Sequence, residues 1–290
     1  MKTSTNSLEE PRIEPQSSRS KPGRKASTNP TLITFREMMV TLGDIVAFSG
    51  SVVQSFPHLR KFWPEVLRQA AIIILSSGLI IFMMEAVMGG VCGLEAHYTL
   101  QGIGAPLYSG VFNAYCSTRI CAPYMWGYIF AAKIGSGLVA ELGSMKISDE
   151  VDALEVMGIP SMAYLVASRL VAVCIAMPFL YVIGLGVMNV AEYVVTVKML
   201  AAVSEGGYLY VFWLYQNAYD FAGSMLKALL MGLAITLVGC YYGFNAQGGP
   251  VGVGRNAAKA MMVNMVVIHV IGVTVTSLLW GMTPNAPIGN

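Results

Sequence analysis

The chain has 290 residues, of which 55% are hydrophobic and only 12% are charged, and its formal net charge at pH 7 is +2. Its mean hydropathy of +0.61 is too high for an ordinary soluble domain. Apolar runs of about 20 residues recur, which is the length that a helix needs to cross the hydrocarbon core of a bilayer. The sequence therefore predicts an all-α integral membrane protein.

The N-terminal region is basic. Ten of the 18 Lys and Arg residues lie in the first 68 positions: Lys2, Arg12, Arg19, Lys21, Arg24, Lys25, Arg36, Arg60, Lys61 and Arg68. Residues 1–31 are rich in Ser, Pro, Lys and Arg and lack an apolar core, so they predict a disordered cytoplasmic tail and no cleavable signal peptide. Residues 32–66 combine helical apolar spacing with interspersed charges, which favours an amphipathic helix at the cytoplasmic interface over a span.

Five apolar segments predict transmembrane helices, at about residues 69–93, 112–140, 163–190, 223–243 and 259–281. The second contains Arg119, Pro123 and Lys133, so we expect a long and kinked helix there. An odd number of spans places the two termini on opposite sides of the membrane. The positive-inside rule favours a cytoplasmic N-terminus and an extracytoplasmic C-terminus, in a multi-pass protein of the plasma (inner) membrane.

An acidic segment separates the second and third predicted spans. Five carboxylates lie within fifteen residues: Glu141, Asp149, Glu150, Asp152 and Glu155. A helix is predicted over 149–158, with Ser148 as its N-cap and Gly158 at its end. On these residues alone two interpretations stay open. The segment is either a solvated helix packed on its own membrane domain or a helix that docks into a basic-rimmed groove of a soluble partner.

Two stretches carry a resemblance to a known family. Residues 131–160, AAKIGSGLVAELGSMKISDEVDALEVMGIP, resemble the signature of the MlaE/YrbE permeases, the membrane subunits of ABC transporters that move lipids between envelope layers. Residues 240–254, CYYGFNAQGGPVGVG, are similar to a loop of the actinobacterial YrbE proteins that are associated with Mce complexes. Residues 285–289, NAPIG, are similar to the second, B-type, permease of such systems.

The resemblance implies a permease domain over residues 32–290, in which segment 149–158 is a coupling helix seated in a groove of a cytoplasmic ATPase. The candidate ATPase-coupling residues are Glu141, Lys146, Asp149, Glu150, Asp152, Leu154, Glu155 and Gly158. One departure matters. Many members have Arg-Glu-Leu-Gly-Pro early in the second span, whereas this chain has Ile120 in place of the acid, between Arg119 and Pro123. A role of that glutamate does not transfer here, and its loss suggests one half of an asymmetric permease pair.

A mainly apolar substrate cavity is expected, and the candidate residues for it are Met83, Met84, Glu85, Val87 and Arg119. Glu85 lies within the first span, where an ionisable side chain is a functional candidate. A residue at the outer membrane interface is the alternative that stays open. The five cysteines show no metal-binding spacing, so no metal site is predicted. Cys116 and Cys121 could pair if they face an oxidising compartment.

Together these features predict a permease subunit, not an enzyme, of an Mce-type ABC transporter that passes a hydrophobic lipid inward, whether fatty acid, mycolic acid, sterol or phospholipid. No cofactor is expected on this chain, because ATP and Mg²⁺ would be used by a partner ATPase dimer. The other expected partners are a second YrbE-type permease, a periplasmic Mce assembly, the lipid and the membrane, with no nucleic acid. The alternatives are a membrane-embedded lipid-modifying enzyme and a transport-inactive scaffold.

Overall fold

The computed structural model describes residues 30–281, with side chains from Val40 onwards except at Leu42. This region is almost entirely helical and contains no β-strand, which confirms the predicted all-α fold. Its α-helices are α1 (Pro30–Ser55), α2 (Trp63–Gly102), α3 (Ser109–Cys116), α4 (Ala122–Phe130), α5 (Ser136–Ile147), α6 (Glu150–Val156), α7 (Ser168–Tyr193), α8 (Glu205–Leu214), α9 (Ala218–Phe244) and α10 (Gly249–Trp280). The chain divides into two compact units, Met1–Leu42 and Gly43–Asn290, and the core belongs to the second.

Both chain ends lie outside the described residues. The predicted tail, 1–31, falls outside apart from its last two residues, which open α1. The NAPIG stretch at 285–289 also falls outside. The B-type resemblance and the side of the membrane on which the chain ends therefore stay predictions.

The single helix that was predicted over 32–66 is instead broken. Helix α1 ends at Ser55, a 3-10 helix follows over Phe56–Phe62, and α2 begins directly after it. Two prolines explain the break, since Pro57 opens the 3-10 helix and Pro64 lies in the first turn of α2. Proline has no N–H to donate and is tolerated only in the first turn of a helix, so each of them marks a new beginning.

Four helical stretches of the described residues are long and apolar enough to cross a membrane by length and composition: Gly43–Gln101, which includes the break before α2, Met162–Met199, Ala218–Phe244 and Gly249–Trp280. They contain four of the five predicted spans. Helix α2 alone has 40 residues, which makes it about 60 Å long and roughly twice as long as the hydrocarbon core is thick. It therefore extends well beyond the predicted end of the first span at residue 93.

The remaining predicted span, 112–140, is helical but is not among these four. Residues 109–147 form one continuous helical segment, in which α3, α4 and α5 are joined by π-helical turns at Ser117–Cys121 and Ala131–Gly135. A π-helical turn inserts an extra residue and rotates the faces of the helix on either side of it. The expected kink thus takes the form of two widened turns, and a membrane crossing by this segment stays a prediction.

Helices α2 and α7 make the most extensive helix–helix contact in the described part of the chain. Two glycines four residues apart let the backbones approach closely. A Cβ atom at Gly89 would lie 2.3 Å from the Met188 carbonyl oxygen, and one at Gly93 would lie 3.1 Å from the Glu192 carbonyl oxygen. Small residues at this spacing are a common means of close packing in lipid, where the hydrophobic effect does not drive helices together. This pair of helices carries Glu85 and Glu192 into the protein interior.

Helix α9 packs against both α5 and α10, which also contact each other. A Cβ atom at Gly239 on α9 would lie 2.9 Å from the carbonyl oxygen of Gly135, the residue directly before α5. The start of α5 and α9 therefore also approach each other closely. The core between the helices is apolar and includes the stacked rings of Trp126 and Phe130. Outward-facing side chains such as Leu75 are apolar as well, which suits a surface in contact with lipid.

The segment between α7 and α9 contains the short helix α8. Ser204 caps its N-terminus by accepting a backbone hydrogen bond, and Tyr208 and Phe212 pack near α3 in a second, smaller core. The Lys198 ammonium bonds the Glu205 carboxylate at 2.7 Å, and this hydrogen bond lowers the pKa of Glu205. Because α6 precedes α7 and α8 follows it, these two short helices lie at opposite ends of α7.

Candidate functional site

Helix α6 lies inside the segment 149–158 for which a coupling helix was predicted. The chain enters it through Asp149, whose φ of 58° is in the left-handed region. The predicted N-cap is wrong. The Ser148 hydroxyl donates to the Ser144 carbonyl and to the Glu150 carboxylate, each at 3.0 Å, and does not accept from the start of the helix. The left-handed residue instead sets the sharp angle between α5 and α6.

The end of α6 is sharply defined by Gly158, whose φ is 77°. The Gly158 N–H bonds the Glu155 carbonyl at 2.9 Å, and the Ile159 N–H bonds the Leu154 carbonyl at 3.0 Å. This pair of bonds is a Schellman motif, which requires a left-handed residue and therefore favours glycine. The predicted role of Gly158 in ending the helix agrees with this geometry.

One face of α6 packs on its own domain and the other is exposed. Val151 is buried, and Leu154 is half-buried against the main core. Val156 and Met157 are exposed by 90% and 67%. The resemblance named Leu154 as a candidate ATPase contact, but in the structure its side chain packs against the main core. The exposed apolar surface belongs to Val156 and Met157, which the sequence reasoning missed because the rotation of α6 depends on the left-handed conformation of Asp149.

The charges around α6 are tied to neighbouring segments. Lys146 at the end of α5 bonds Asp152 at 2.6 Å, and Ser161 donates to the Glu155 carboxylate at 2.6 Å. Beside Glu155, a groove with a volume of about 540 Å³ opens between α6 and the 3-10 helix. The segment is thus anchored on both sides while its outer edge stays available to a partner.

An ion pair links α5 to α7. Arg169 Nη2 lies 2.5 Å from Glu141 Oε1, and the arginine is buried whereas the carboxylate is half exposed. The same two residues line a cavity of about 200 Å³, together with Gln69, Lys133 and an apolar wall. Arg169 Nε and Nη1 have no hydrogen-bond partner among the described residues. The guanidinium is therefore held by Glu141 alone, and movement of α5 would be felt directly at the start of α7.

Arg119, a predicted cavity residue, is part of a buried polar network. Its guanidinium lies 2.6 Å from one Asp220 carboxylate oxygen, and the Trp280 indole N–H donates to the other oxygen at 2.6 Å. The guanidinium also stacks over the Tyr115 ring at 3.9 Å. This network joins the first π-helical turn to the start of α9 and the end of α10.

A buried lysine completes the network, and the sequence reasoning had not singled it out. Lys227 donates to the Arg119 carbonyl at 3.0 Å and to the Thr276 hydroxyl at 2.8 Å. Its ammonium lies 4.6 Å from the centre of the Tyr124 ring. Lys227 thus contacts the first π-helical turn at the backbone of Arg119 and ties it to α10 through Thr276. The only early signal was a lysine inside an otherwise apolar run.

The other predicted cavity residues point in different directions. Glu85 is 1% exposed and lies against α7, where a Cβ atom at Gly184 would sit 3.4 Å from the Glu85 Cγ. Met83, Met84 and Val87 are exposed on the outside of α2. Successive residues of a helix are about 100° apart, so Glu85 faces away from Met83 and Val87, which are four residues apart and share a face. The four side chains of α2 therefore do not line one common cavity within this chain.

Comparison with known proteins adds the family. The sequence profile described as "Permease MlaE" matches residues 66–278. The chain belongs to the MlaE permease family. This match covers α3 to α9 completely and most of α2 and α10, but not α1. It therefore includes α6, the Arg169–Glu141 pair and most of the Arg119 network.

Several relatives of this MlaE-family chain are permeases by name. It is 28% identical to a probable ABC transporter permease protein of Rickettsia typhi over 242 residues. This alignment covers 83% of this chain and 92% of the relative. It is 26% identical to the intermembrane phospholipid transport system permease protein MlaE of Haemophilus influenzae over 232 residues. This alignment covers 78% of this chain and 86% of the relative. The predicted class of ABC transporter permease, rather than enzyme, is confirmed.

In this MlaE-family permease the fold also brings together three cysteines, of which the sequence analysis had connected only Cys116 and Cys121. The sulfur atoms of Cys92, Cys116 and Cys121 all lie within 4.8 Å of one another. Cys92 comes from α2, whereas Cys116 and Cys121 flank the first π-helical turn. A cluster assembled from two helices across a widened turn leaves no recognisable motif in the sequence.

Proposed function

We propose that this chain is a membrane subunit of an Mce-type ABC transporter for a hydrophobic lipid, and that α6 transmits the motion of a cytoplasmic ATPase dimer to the spans. The observation that carries this proposal is the dual character of α6. It presents an exposed apolar edge at Val156 and Met157 and is fastened to the membrane domain by Lys146, Glu155 and their partners. ATP and Mg²⁺ would be bound by the ATPase and not by this chain.

The docking step rests on the chemistry of that edge. Val156 and Met157 stand beside the exposed carboxylates of Asp152 and Glu150. An apolar ridge flanked by acids suits a groove with an apolar floor and a basic rim, because charge complementarity fixes the register while the apolar contact supplies affinity. Asp149 and Gly158 would set the angle at which the ridge enters the groove.

Transmission rests on the ion pairs behind α6. Lys146 holds α6 to the end of α5, and Ser161 holds it to the segment that leads into α7. Further in, Glu141 and Arg169 join the same two helices. A displacement of α6 would therefore move α5 and α7 together, and α7 is in close backbone contact with α2. These three polar contacts and the close packing of α7 on α2 would together carry the motion from α6 into the bundle.

The lipid and the partner permease are inferred from relatives and from surface character. The Haemophilus influenzae relative is named for phospholipid transport, which supports a lipid as the substrate. Met83, Met84 and Val87 form an apolar outer face on α2, and a second permease against this face would enclose a shared apolar cavity. The exposed Ile120, in place of the family's acid, fits a pair of unlike permeases. The Mce assembly and inward transport rest on the resemblance of residues 240–254.

The decisive experiment is Val156→Asp in the permease co-expressed with its ATPase and second permease. A carboxylate buried without a partner in the docking groove costs on the order of a few kcal/mol, so we expect the ATPase to be lost from affinity-purified complexes and lipid uptake to stop. Leu154→Asp is a poorer test because Leu154 also packs on the core. The matched control is Tyr210→Asp, which alters another exposed apolar residue, on α8 at the other end of α7.

The two variants separate docking from general damage. Normal membrane levels of both, with ATPase loss only for Val156→Asp, support the proposal. ATPase retention by Val156→Asp would leave α6 as a solvated helix of the membrane domain. Retention of the ATPase by the wild-type complex without lipid-stimulated ATP hydrolysis would identify a scaffold instead of a transporter.

The requirement for an unlike partner is tested by omitting the second permease. We expect this chain with the ATPase alone to assemble poorly or to show no lipid-dependent ATP hydrolysis. Restoration on adding the second permease would support the asymmetric pair. Full transport by a homodimer of this chain would rule it out.

A further inference from the structure

Three thiols meet inside the helical bundle. Cys121 Sγ lies 3.2 Å from Cys116 Sγ and 3.4 Å from Cys92 Sγ. Cys92 and Cys121 are buried and Cys116 is half-buried. The other two cysteines, Cys174 and Cys240, lie outside the cluster. The three thiols therefore form a local arrangement that the permease function above does not use.

The π-helical turn is what brings two of these thiols together. In an α-helix, residues five apart are rotated by about 140° from one another. The π-helical turn at Ser117–Cys121 widens the backbone, so that Cys116 and Cys121 come onto the same face. A single π-helical turn interrupts the regular hydrogen bonding of an α-helix, and such turns occur frequently at functional sites. Here the turn aims both thiols at Cys92 on α2.

The separations fit a shared metal ion. In a tetrahedral site with metal–sulfur bonds of ~2.3 Å, the sulfur atoms lie about 3.8 Å apart. The two closest sulfur pairs of the cluster, at 3.2 and 3.4 Å, reach this separation with small side-chain rotations. A disulfide would require a sulfur–sulfur distance of about 2.0 Å and would use only two of the three thiols.

A buried carboxylate lies beside the cluster. Glu192 on α7 is 0% exposed, and among the described residues neither of its carboxylate oxygens has a hydrogen-bond partner. Its backbone carbonyl faces Gly93, the residue next to Cys92. Its carboxylate lies outside the group of three sulfur atoms that are within 4.8 Å of one another, so a change of side-chain rotamer would have to bring it to them. A buried carboxyl group with no partner is costly, and a cation at the thiols would supply that partner.

We propose that Cys92, Cys116 and Cys121 bind one Zn²⁺ ion, and that the Glu192 carboxylate turns towards the thiols to become its fourth ligand. Three sulfur ligands and one carboxylate oxygen are a ligand set that Zn²⁺ accepts in tetrahedral geometry, whereas Mg²⁺ and Ca²⁺ select oxygen ligands. Each ligating thiol releases its proton when the ion binds. Four protein ligands leave no open position, so the site is structural. It fastens α2, the first π-helical turn and α7 to one another.

The test is metal analysis of the permease purified in its intact transporter complex, after incubation with Zn²⁺ and removal of loosely bound metal by gel filtration. We expect close to one zinc per permease chain, with X-ray absorption showing Zn–S distances of ~2.3 Å. Cys92→Ser and Cys121→Ser are each expected to remove most of the zinc. Glu192→Gln is expected to weaken zinc retention by tenfold or more. Cys240→Ser, a buried cysteine outside the cluster, is the matched control and is expected to retain the metal.

The wild-type complex alone can overturn the proposal, so it does not depend on how well the variants fold. Less than a tenth of a zinc ion per chain after incubation would do so. A mass lower by two hydrogens with loss of two alkylatable thiols would indicate a disulfide in place of the metal. Copper held through sulfur alone, and unaffected by Glu192→Gln, would overturn the four-ligand zinc assignment.

Discussion

The Arg119 guanidinium and the Asp220 carboxylate lie 2.6 Å apart inside the helical bundle, and Trp280 donates to the second oxygen of the same carboxylate. The three residues come from the first π-helical turn, the first turn of α9 and the last turn of α10. Arg119 Nε and Nη2 both donate to Asp220, and the guanidinium also contacts the Tyr115 and Trp280 rings. This engagement favours a role in holding three helices together over the contact with substrate that the sequence suggested.

Removing one partner of this pair should destabilise the permease strongly. Asp220→Asn leaves the Arg119 charge buried without a counterion, which typically costs about 3–5 kcal/mol. We expect a markedly lower thermal unfolding temperature in detergent. The double variant Arg119→Met, Asp220→Leu removes both charges and should recover most of the lost stability.

The exposed ion pair between Glu205 and Lys198, which follows α7, provides the control. Glu205→Gln breaks a bond between Glu205 and Lys198 on the surface, where ion pairs contribute little, so its unfolding temperature should stay near that of the wild type. Recovery of both stability and transport by the double variant supports a structural role for Arg119. Recovered stability without transport would show that Arg119 contacts the substrate after all.

Close packing of α2 and α7 predicts a sharp difference between two neighbouring glycines. A Cβ atom at Gly89 would lie 2.3 Å from a backbone carbonyl, whereas one at Gly90 would lie 3.8 Å from the nearest atom, a Val195 methyl carbon. Gly89→Ala should therefore push the helices apart and cost about 1–3 kcal/mol. Gly90→Ala should be neutral or slightly stabilising. Equal unfolding temperatures for the two variants would contradict the close approach of α2 and α7.

The turn at the end of α6 predicts a difference between alanine substitutions at two further glycines, Gly158 and Gly137. Gly158 has a φ of 77°, so Gly158→Ala is strained by about 1–2 kcal/mol. Because the strain is relieved by changing the turn after α6, we expect weaker retention of the ATPase with normal membrane levels. Gly137→Ala is the control, since Gly137 is helical and has open space around its Cβ position. ATPase retention that is equal for both variants would argue against a role of this turn in coupling.

Much of the architecture follows from hydropathy and periodicity. The four long apolar helices coincide with predicted spans because continuous hydrophobicity over about 20 residues is typical of a helix that crosses a bilayer. The segment 109–147 was harder to predict, since Arg119 and Lys133 lower its hydropathy. Its burial depends on partners such as Asp220 that lie about a hundred residues away in the chain. Sequence pattern alone does not contain that pairing.

The site was predictable in its location but not in its detail. The acid cluster identified α6, yet the residues on its exposed face depend on the rotation of the helix, which is set by the left-handed Asp149. The residue types gave no warning of this, because a left-handed conformation is a local choice that tertiary packing decides. The thiol cluster and Lys227 were missed for a related reason. Both depend on a π-helical turn, which has no sequence signature as clear as proline has for a kink.

The number of membrane crossings can be measured by cysteine labelling on the two sides of 109–147. Leu107 precedes this segment and Val156 follows it, and both are exposed. In a Cys174→Ser background, which removes the one exposed native cysteine, a membrane-impermeant maleimide should label Leu107→Cys in right-side-out vesicles. Val156→Cys should be labelled in inside-out vesicles. The physical reason is that the segment crosses the bilayer once, as a helix stabilised by its buried partners.

Labelling of both positions from the same side would contradict this result. In that case 109–147 would return to the side from which it started, leaving four spans, and α6 would lie away from any cytoplasmic ATPase. A reporter fused after Asn290 provides an independent check, because five spans from a cytoplasmic N-terminus end outside the cytoplasm. If the reporter is extracytoplasmic and the two cysteines react from opposite sides, then the ten basic residues of the N-terminal region have oriented the chain as the positive-inside rule predicts.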